Sequence, residues 1–247
     1  CRDYNLKYAY KTGAMANGIA SADLVIAIGK ANLLASYGAA GQIPGKITES
    51  INKIQANLRH ETYAVNLIHS PSEQALEATA VDLFLSKGVK VVEASAFLAL
   101  TENIVYYRVA GLTQDAENNI LIRNKVIAKI SRKEVALPFM KSPPEEFLQS
   151  LLAKRKITPL QAELAKYIPM ADDITVEADS GGHTDNRPLV ALLPIIIQLR
   201  DDMQKQNSFS TKIRIGAAGG ISTPASALAA FMMGAAYVVT GSINQAC

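Results

Sequence analysis

Asp172–Pro188, DDITVEADSGGHTDNRP, is the stretch from which the chain is read. Ile174, Val176 and Ala178 alternate with polar residues, as on the buried face of a short strand. That strand opens directly into Asp179, Ser180, Gly181, Gly182 and His183. Two adjacent glycines let the backbone turn sharply and approach a ligand closely. A histidine beside them can move a proton near neutral pH. The same plan returns in Ile213–Ile221 (IRIGAAGGI), which ends in Gly219-Gly220, and in Tyr237–Gln245 (YVVTGSINQ), which carries Gly241 and Ser242. Successive strands that end in glycine loops imply a barrel whose ligand lies across one rim.

Working outward, five further strands are predicted at Lys7–Thr12, Leu33–Tyr37, Tyr63–Leu67, Val89–Ala94 and Val126–Ile130. Helices are predicted from Ser21 to Lys30, over Ile47–Leu58, over Glu73–Lys87 with Ser72 as cap, over Thr101–Val109 and over Thr223–Met233. Short apolar strands alternating with helices define an α/β chain of the (β/α)8 TIM-barrel type. An open doubly wound sheet would need a topological switch and one dominant glycine loop, whereas at least four strand ends here carry glycine or small polar residues. Residues 1–247 are therefore expected to form a single barrel domain. Residues 134–169, between the fifth and sixth strands, are too long for one crossover helix. They are expected to form a helical insertion serving as a lid or partner-docking surface. A hairpin-like excursion is predicted over Leu112–Asn124. The chain stops just past the eighth strand and starts at Cys1, so a truncated or excised piece is expected.

Composition narrows the function. Of 247 residues, 49% are hydrophobic and 19% charged, enough for one large core. The net charge of +3 is scattered, and the cluster Lys154-Arg155-Lys156 reads as a solvated helix end. Aromatics are 6% with no Trp, which argues against a base-stacking nucleic-acid surface. No apolar run reaches the length of a membrane span and no signal peptide is visible. The two cysteines, Cys1 and Cys247, form neither a disulfide framework nor a metal-ligand spacing, so a reducing cytoplasm is expected. Asp172, Asp173, Glu177 and Asp179 lack a histidine in register and are read as loop and strand-end acids, not metal ligands.

Loops after the last two strands of such barrels often hold phosphate through backbone N–H groups. Gly219, Gly220, Gly241 and Ser242 supply them here. GAAGG does not match the dinucleotide fingerprint and no second α/β half is present, so FMN fits better than a built-in NAD domain. Asn66 can bond the amide edge of the flavin ring. Lys129, bracketed by Ala128 and Ile130 in a buried strand, can place positive charge near it. His183 is the catalytic candidate, and His69 and Glu93 are read as facing substrate.

These residues resemble a known family. GAMANGIAS (Gly13–Ser21), VNLIHSP (Val65–Pro71), VEASAF (Val92–Phe97), AKISR (Ala128–Arg132), EADSGGHTDNRP (Glu177–Pro188), GAAGGI (Gly216–Ile221) and TGSINQ (Thr240–Gln245) are similar to the PfaD group. These are trans-acting, flavin-dependent enoyl reductases of polyketide and polyunsaturated fatty acid synthases, grouped with nitronate monooxygenases and FabK. The resemblance covers the chain in order, with Glu177–Pro188 its most specific part. It implies FMN at the C-terminal rim, with the phosphate on Gly219, Gly220, Gly241 and Ser242 and the ring near Met15, Asn66, Lys129, Gly181 and Gly182. It puts His183 in the place of the active-site histidine.

The expected function is NADPH-dependent reduction of an α,β-unsaturated thioester on an acyl carrier protein, with Lys129 and His183 in catalytic roles. No nucleic acid, membrane or metal partner is expected, and a homodimer stays open. The alternatives are a nitronate monooxygenase and a flavin-free scaffold that docks carrier proteins. A barrel dehydrogenase using a loop cysteine is disfavoured, because both cysteines are terminal.

Overall fold

In the computed structural model, residues 1–71, 74–180, 185–207 and 209–246 are described. The predicted apolar runs form β1 (Tyr10–Thr12), β2 (Leu34–Tyr37), β3 (Ala64–Ile68) and β4 (Val91–Ser95). A short antiparallel hairpin, β5 (Leu112–Gln114) and β6 (Ile120–Ile122), stands apart from the main sheet, as the excursion predicted. The remaining strands are β7 (Lys125–Ile130), β8 (Asp173–Glu177), β9 (Arg214–Ala218) and β10 (Tyr237–Thr240). The eight parallel strands close in the order β1-β10-β9-β8-β7-β4-β3-β2, so the barrel expected from the glycine-ended strands is the fold. Closure sets Thr240 opposite Thr12, which brings the ends of β10 and β1 together at one rim.

Helices α1 (Ala22–Lys30), α2 (Pro44–Asn57), α3 (Gln74–Ser86) and α4 (Glu102–Ala110) follow the first four strands. Their starts are set by local chemistry. Ser21 accepts the Leu24 N–H at 3.1 Å and Thr101 accepts that of Ile104 at 3.3 Å, each satisfying an orphan donor of the first turn. The cap predicted at Ser72 lies outside the described residues. Helix α8 (Leu189–Gln206), for which the sequence shows no clear periodic signal, joins β8 to β9. Helix α9 (Pro224–Met232) opens on a Thr223–Ser226 capping box. No helix among the described residues is long and apolar enough to cross a membrane.

The main apolar core lies between sheet and helices, around Ile54, Val65, Phe84, Val92, Phe139 and Ile196. A second, smaller core of Leu34, Ala64, Val91 and Ile127 fills the barrel's lower interior under Tyr4.

Between β7 and β8 run α5 (Lys133–Met140), α6 (Glu145–Ala153) and α7 (Pro159–Ala165). Helix α5 packs on α8, α6 and α7 pack on α4, and α7 also meets β5. Leu148, Leu151, Leu164 and Ala165 are buried. Met170 N–H donates to Lys141 O at 2.8 Å and Ala171 N–H to Phe139 O at 2.9 Å. The buried Arg108 ties down the segment's end, reaching Pro169 O at 2.9 Å and Asp172 at 2.6 Å. These contacts tie the segment to the helices around the barrel. Each helix has an apolar face, and those faces are spent on the barrel's outer wall.

Candidate active site at the C-terminal rim

Alternation along the strands sends every second side chain into the barrel, and at mid-height those side chains are polar. Lys11 and Glu93, 2% and 1% exposed, form an ion pair there. Ser36 Oγ donates to Glu93 Oε2 at 2.9 Å, and Ala14 N–H donates to Glu93 Oε1 at 3.2 Å. Burial pushes the Lys11 ammonium well below the usual lysine range, and the Lys129 charge acts in the same direction. The expectation that Glu93 faces substrate needs correction. It sits two residues below the end of β4, so its carboxylate is consumed inside the barrel and braces the loop that carries Met15.

That loop is pinned on three sides. The Met15 carbonyl is pressed so close to Gly38 that a Cβ there would collide with it. Ala20 N–H donates to the same oxygen at 3.2 Å, and Gln245 Nε2 reaches Met15 Sδ at 3.2 Å from beyond β10. Asn66 is buried, and its NH2 donates to Glu93 O at 3.1 Å and to Ser95 Oγ at 2.9 Å. Its carbonyl oxygen is then the atom able to accept from a ligand. Lys129 is about one-fifth exposed and pairs with Glu177 at 3.0 Å, a partner that local sequence pattern does not reveal. Below them Thr175 Oγ1 and Tyr237 OH bond at 2.8 Å.

Gly219 stands at φ +90°, and a Cβ there would lie 2.7 Å from Ala178 O, so only glycine fits this approach of β9 to β8. Gly220, at φ +68°, is exposed with open space above it. Gly241 also has open space, and β9–β10 pairing sets its loop beside that of Gly220. Among the described residues, the N–H groups of Gly220, Gly241 and Ser242 donate to no protein oxygen. Uncommitted amides on adjacent loops are suited to an anion such as phosphate.

Gly181, Gly182 and His183 lie outside the described residues. Residues on either side of them are anchored at the rim. Asp179 N–H donates to Arg187 O at 2.9 Å. Asp185 takes Arg132 at 2.5 Å and Ser131 Oγ at 2.7 Å, and these two partners hold its carboxyl well below the usual range. His69, at the end of β3, packs against Phe97 with ring centroids 5.3 Å apart, and its Nδ1 lies 2.7 Å from Glu77 Oε2. The rim thus gathers Met15, Asn66, His69, Lys129 and the glycine loops. Sequence reasoning missed Lys11, Ser36, Glu77 and Ser95. Lys11 was legible by the argument applied to Lys129, a charge bracketed inside a strand.

No protein-family model matches the chain. The chain is 54% identical over 238 residues to a polyunsaturated fatty acid synthase polypeptide of Thraustochytrium sp., covering 96% of this chain and 16% of that protein. It is 46% identical over 245 residues to polyketide biosynthesis protein PksE of Bacillus subtilis, covering 99% of this chain and 32% of PksE. Among solved structures it is similar to the enoyl reductase domain of MlnA, from the macrolactin biosynthesis cluster of Bacillus amyloliquefaciens. The TM-score is 0.94 at 40% identity, covering 99% of this chain and 55% of that one. The chain thus spans less than a third of these curated relatives and about half of the solved domain. Along almost all of its length, in sequence and in fold, the chain is similar to a segment of these synthase proteins and to this enoyl reductase domain, in agreement with its motifs.

Proposed function

We propose that this chain is the barrel of an FMN-dependent, NADPH-using enoyl reductase. It would reduce the α,β-double bond of thioesters carried on acyl carrier protein in polyketide or polyunsaturated fatty acid synthesis. The observation that carries this reading is the pair of adjacent loops with uncommitted N–H groups above a polar, buried barrel floor. Relatives in such synthases, and likeness to an enoyl reductase domain, support the choice of reaction. When bound, FMN supplies hydride transfer between the nicotinamide and the enoyl carbon.

The chain's own groups have distinct tasks in this reading. Gly219, Gly220, Gly241 and Ser242 hold the phosphate, and Gly220 and Gly241 do so without a side chain to obstruct it. Met15, Gly181 and Gly182 line the ring, with Met15 held by its clamp to Gly38 and Gln245. Asn66 accepts a hydrogen bond through its carbonyl oxygen. Lys129 keeps a positive charge in the barrel mouth, positioned by Glu177 at 3.0 Å, and stabilises negative charge that develops there. The α-carbon of the substrate takes its proton from an imidazole, for which the chain offers His183, expected from sequence, and His69 at the rim.

Steady-state NADPH consumption tests the reading. Oxidation that depends on a crotonyl thioester is expected. Oxygen uptake driven by a nitronate, with no response to the thioester, would replace it with nitronate oxidation. A colourless protein without flavin absorbance would leave only a docking role.

A further inference from the structure

The rim holds an imidazole, His69, that is built as a proton carrier. His69 follows β3, and its backbone N–H donates to Ser95 O at 3.0 Å. Its ring stacks on Phe97 at 5.3 Å with an interplanar angle of 28°. Its Nδ1 lies 2.7 Å from the Glu77 carboxylate, which is itself 1% exposed. The other oxygen of Glu77 accepts from Thr101 Oγ1, the residue that caps α4. So β3, α3 and α4 each contribute one member of a chain Thr101–Glu77–His69. An ionised carboxylate can only accept, so Nδ1 carries a hydrogen and Nε2 becomes the nitrogen that exchanges a proton with a substrate. The His69 side chain is 12% exposed, neither sealed in the core nor free in solvent. Beside it, a cavity of about 310 Å3 is lined by Asn66, Ile68, Leu76 and Glu77, with Ile43 and Leu83 on its apolar side. His69 itself does not line this cavity, but its chain neighbours Ile68 and Ser70 and its partner Glu77 do.

A structural histidine does not need this arrangement. Filling a gap at the end of β3 would take an apolar ring, without burying a carboxylate at a desolvation cost and then satisfying it from a third element. A buried acid behind one imidazole nitrogen is how a general acid or base is oriented.

We propose that His69 Nε2, oriented by Glu77, is the general acid that protonates the α-carbon of the enoyl thioester. This rests on the enoyl reductase reading, in which NADPH is the reductant. As hydride forms the new C–H bond at the β-carbon, the π pair of the double bond moves to the α-carbon and thioester oxygen. The Nε2–H bond breaks, its proton forms the second C–H bond, and the neutral imidazole regains a proton from water.

The test uses the full chain with bound flavin, NADPH and a crotonyl thioester, comparing wild type with His69→Ala, Glu77→Gln and His183→Ala. For His69→Ala a loss of about 10²–10⁴-fold in thioester-dependent NADPH oxidation is expected. Flavin content measured by absorbance should be retained, and added imidazole should restore part of the rate. Glu77→Gln should lose about 10–100-fold, the usual cost of removing the partner that orients a functional imidazole. It carries the test if His69→Ala does not fold. A wild-type rate in His69→Ala, or the full loss in His183→Ala alone, would overturn the inference. A slow His69→Ala that keeps its flavin but ignores imidazole would also overturn it, as a packing effect. Failure of wild type to respond to the thioester would instead sink the enoyl reductase reading.

Discussion

At the N-terminal end of the barrel, Tyr4 closes the interior over Leu34, Ala64, Val91 and Ile127. Its hydroxyl donates to Asp173, which also takes Arg214 Nε at 2.5 Å and Nη2 at 2.8 Å. The Lys125 ammonium and the Arg214 guanidinium stand 4.5 Å and 5.4 Å from the Tyr4 ring centre. Burial raises both the Tyr4 hydroxyl and the Asp173 carboxyl above their usual values, the latter in spite of Arg214. At the opposite end β1, β2, β9 and β10 each run into a glycine, and the amides of Gly220, Gly241 and Ser242 have no protein acceptor among the described residues. One end is completed by the protein's own atoms; the other leaves backbone donors open among the described residues. In barrels of this kind the bottom face serves stability and the top face serves chemistry. Here the difference is visible in which polar groups are satisfied.

Substitutions at the two ends should therefore separate cofactor loss from stability loss. The largest effect is expected at the rim. Gly241→Asp meets no neighbour within 4 Å, so the barrel should keep its unfolding midpoint. Its carboxylate would nevertheless repel a phosphate, and flavin retention should fall to near nothing. Gly220→Asp should do the same with a small added strain, because its φ is +68°. Full flavin content in either variant would mean that the phosphate lies elsewhere.

At the closed end Asp173→Asn should cost about 3–5 kcal/mol in urea unfolding, because it removes the buried charge opposite Arg214 and turns one of the two oxygens shared by Arg214 and Tyr4 into a donor. The folded fraction should still hold flavin, and a loss of flavin without destabilisation would blur the division between the two ends. On the outer wall Leu151→Ala should cost about 2–5 kcal/mol, since this side chain is wholly buried against the barrel's helices. A cost near zero would mean that this segment is not tied to the barrel's outer wall.

How much of this was legible varies with the kind of signal. Strand ends followed by glycine mark themselves, because only glycine tolerates the Gly219 conformation and approach; hence the barrel and its rim could be read directly. Helix α8 went unplaced: it starts beside Pro188, carries Pro194 and reads as an unbroken apolar run over much of its length. The insertion was expected to serve as a lid or partner-docking surface, and the structure shows its helices packed on α4 and α8. An apolar helical face says that something is buried, not which surface buries it. Glu93 and Lys129 show the same limit inside the barrel. Alternation fixes which side of the strand a residue faces, whereas height decides whether it reaches a ligand or a neighbour such as Lys11. His69 was read as facing substrate without its partner, because Glu77 comes from the next helix and is invisible to local pattern.

One measurement bears on the central claim most directly: anaerobic absorbance in the flavin band of the purified full chain, during sequential addition of NADPH and a crotonyl thioester. The proposed function predicts bleaching by NADPH and recovery of the band when the thioester is added. A band that NADPH does not bleach, or that stays bleached in excess thioester and returns only with air, would contradict it.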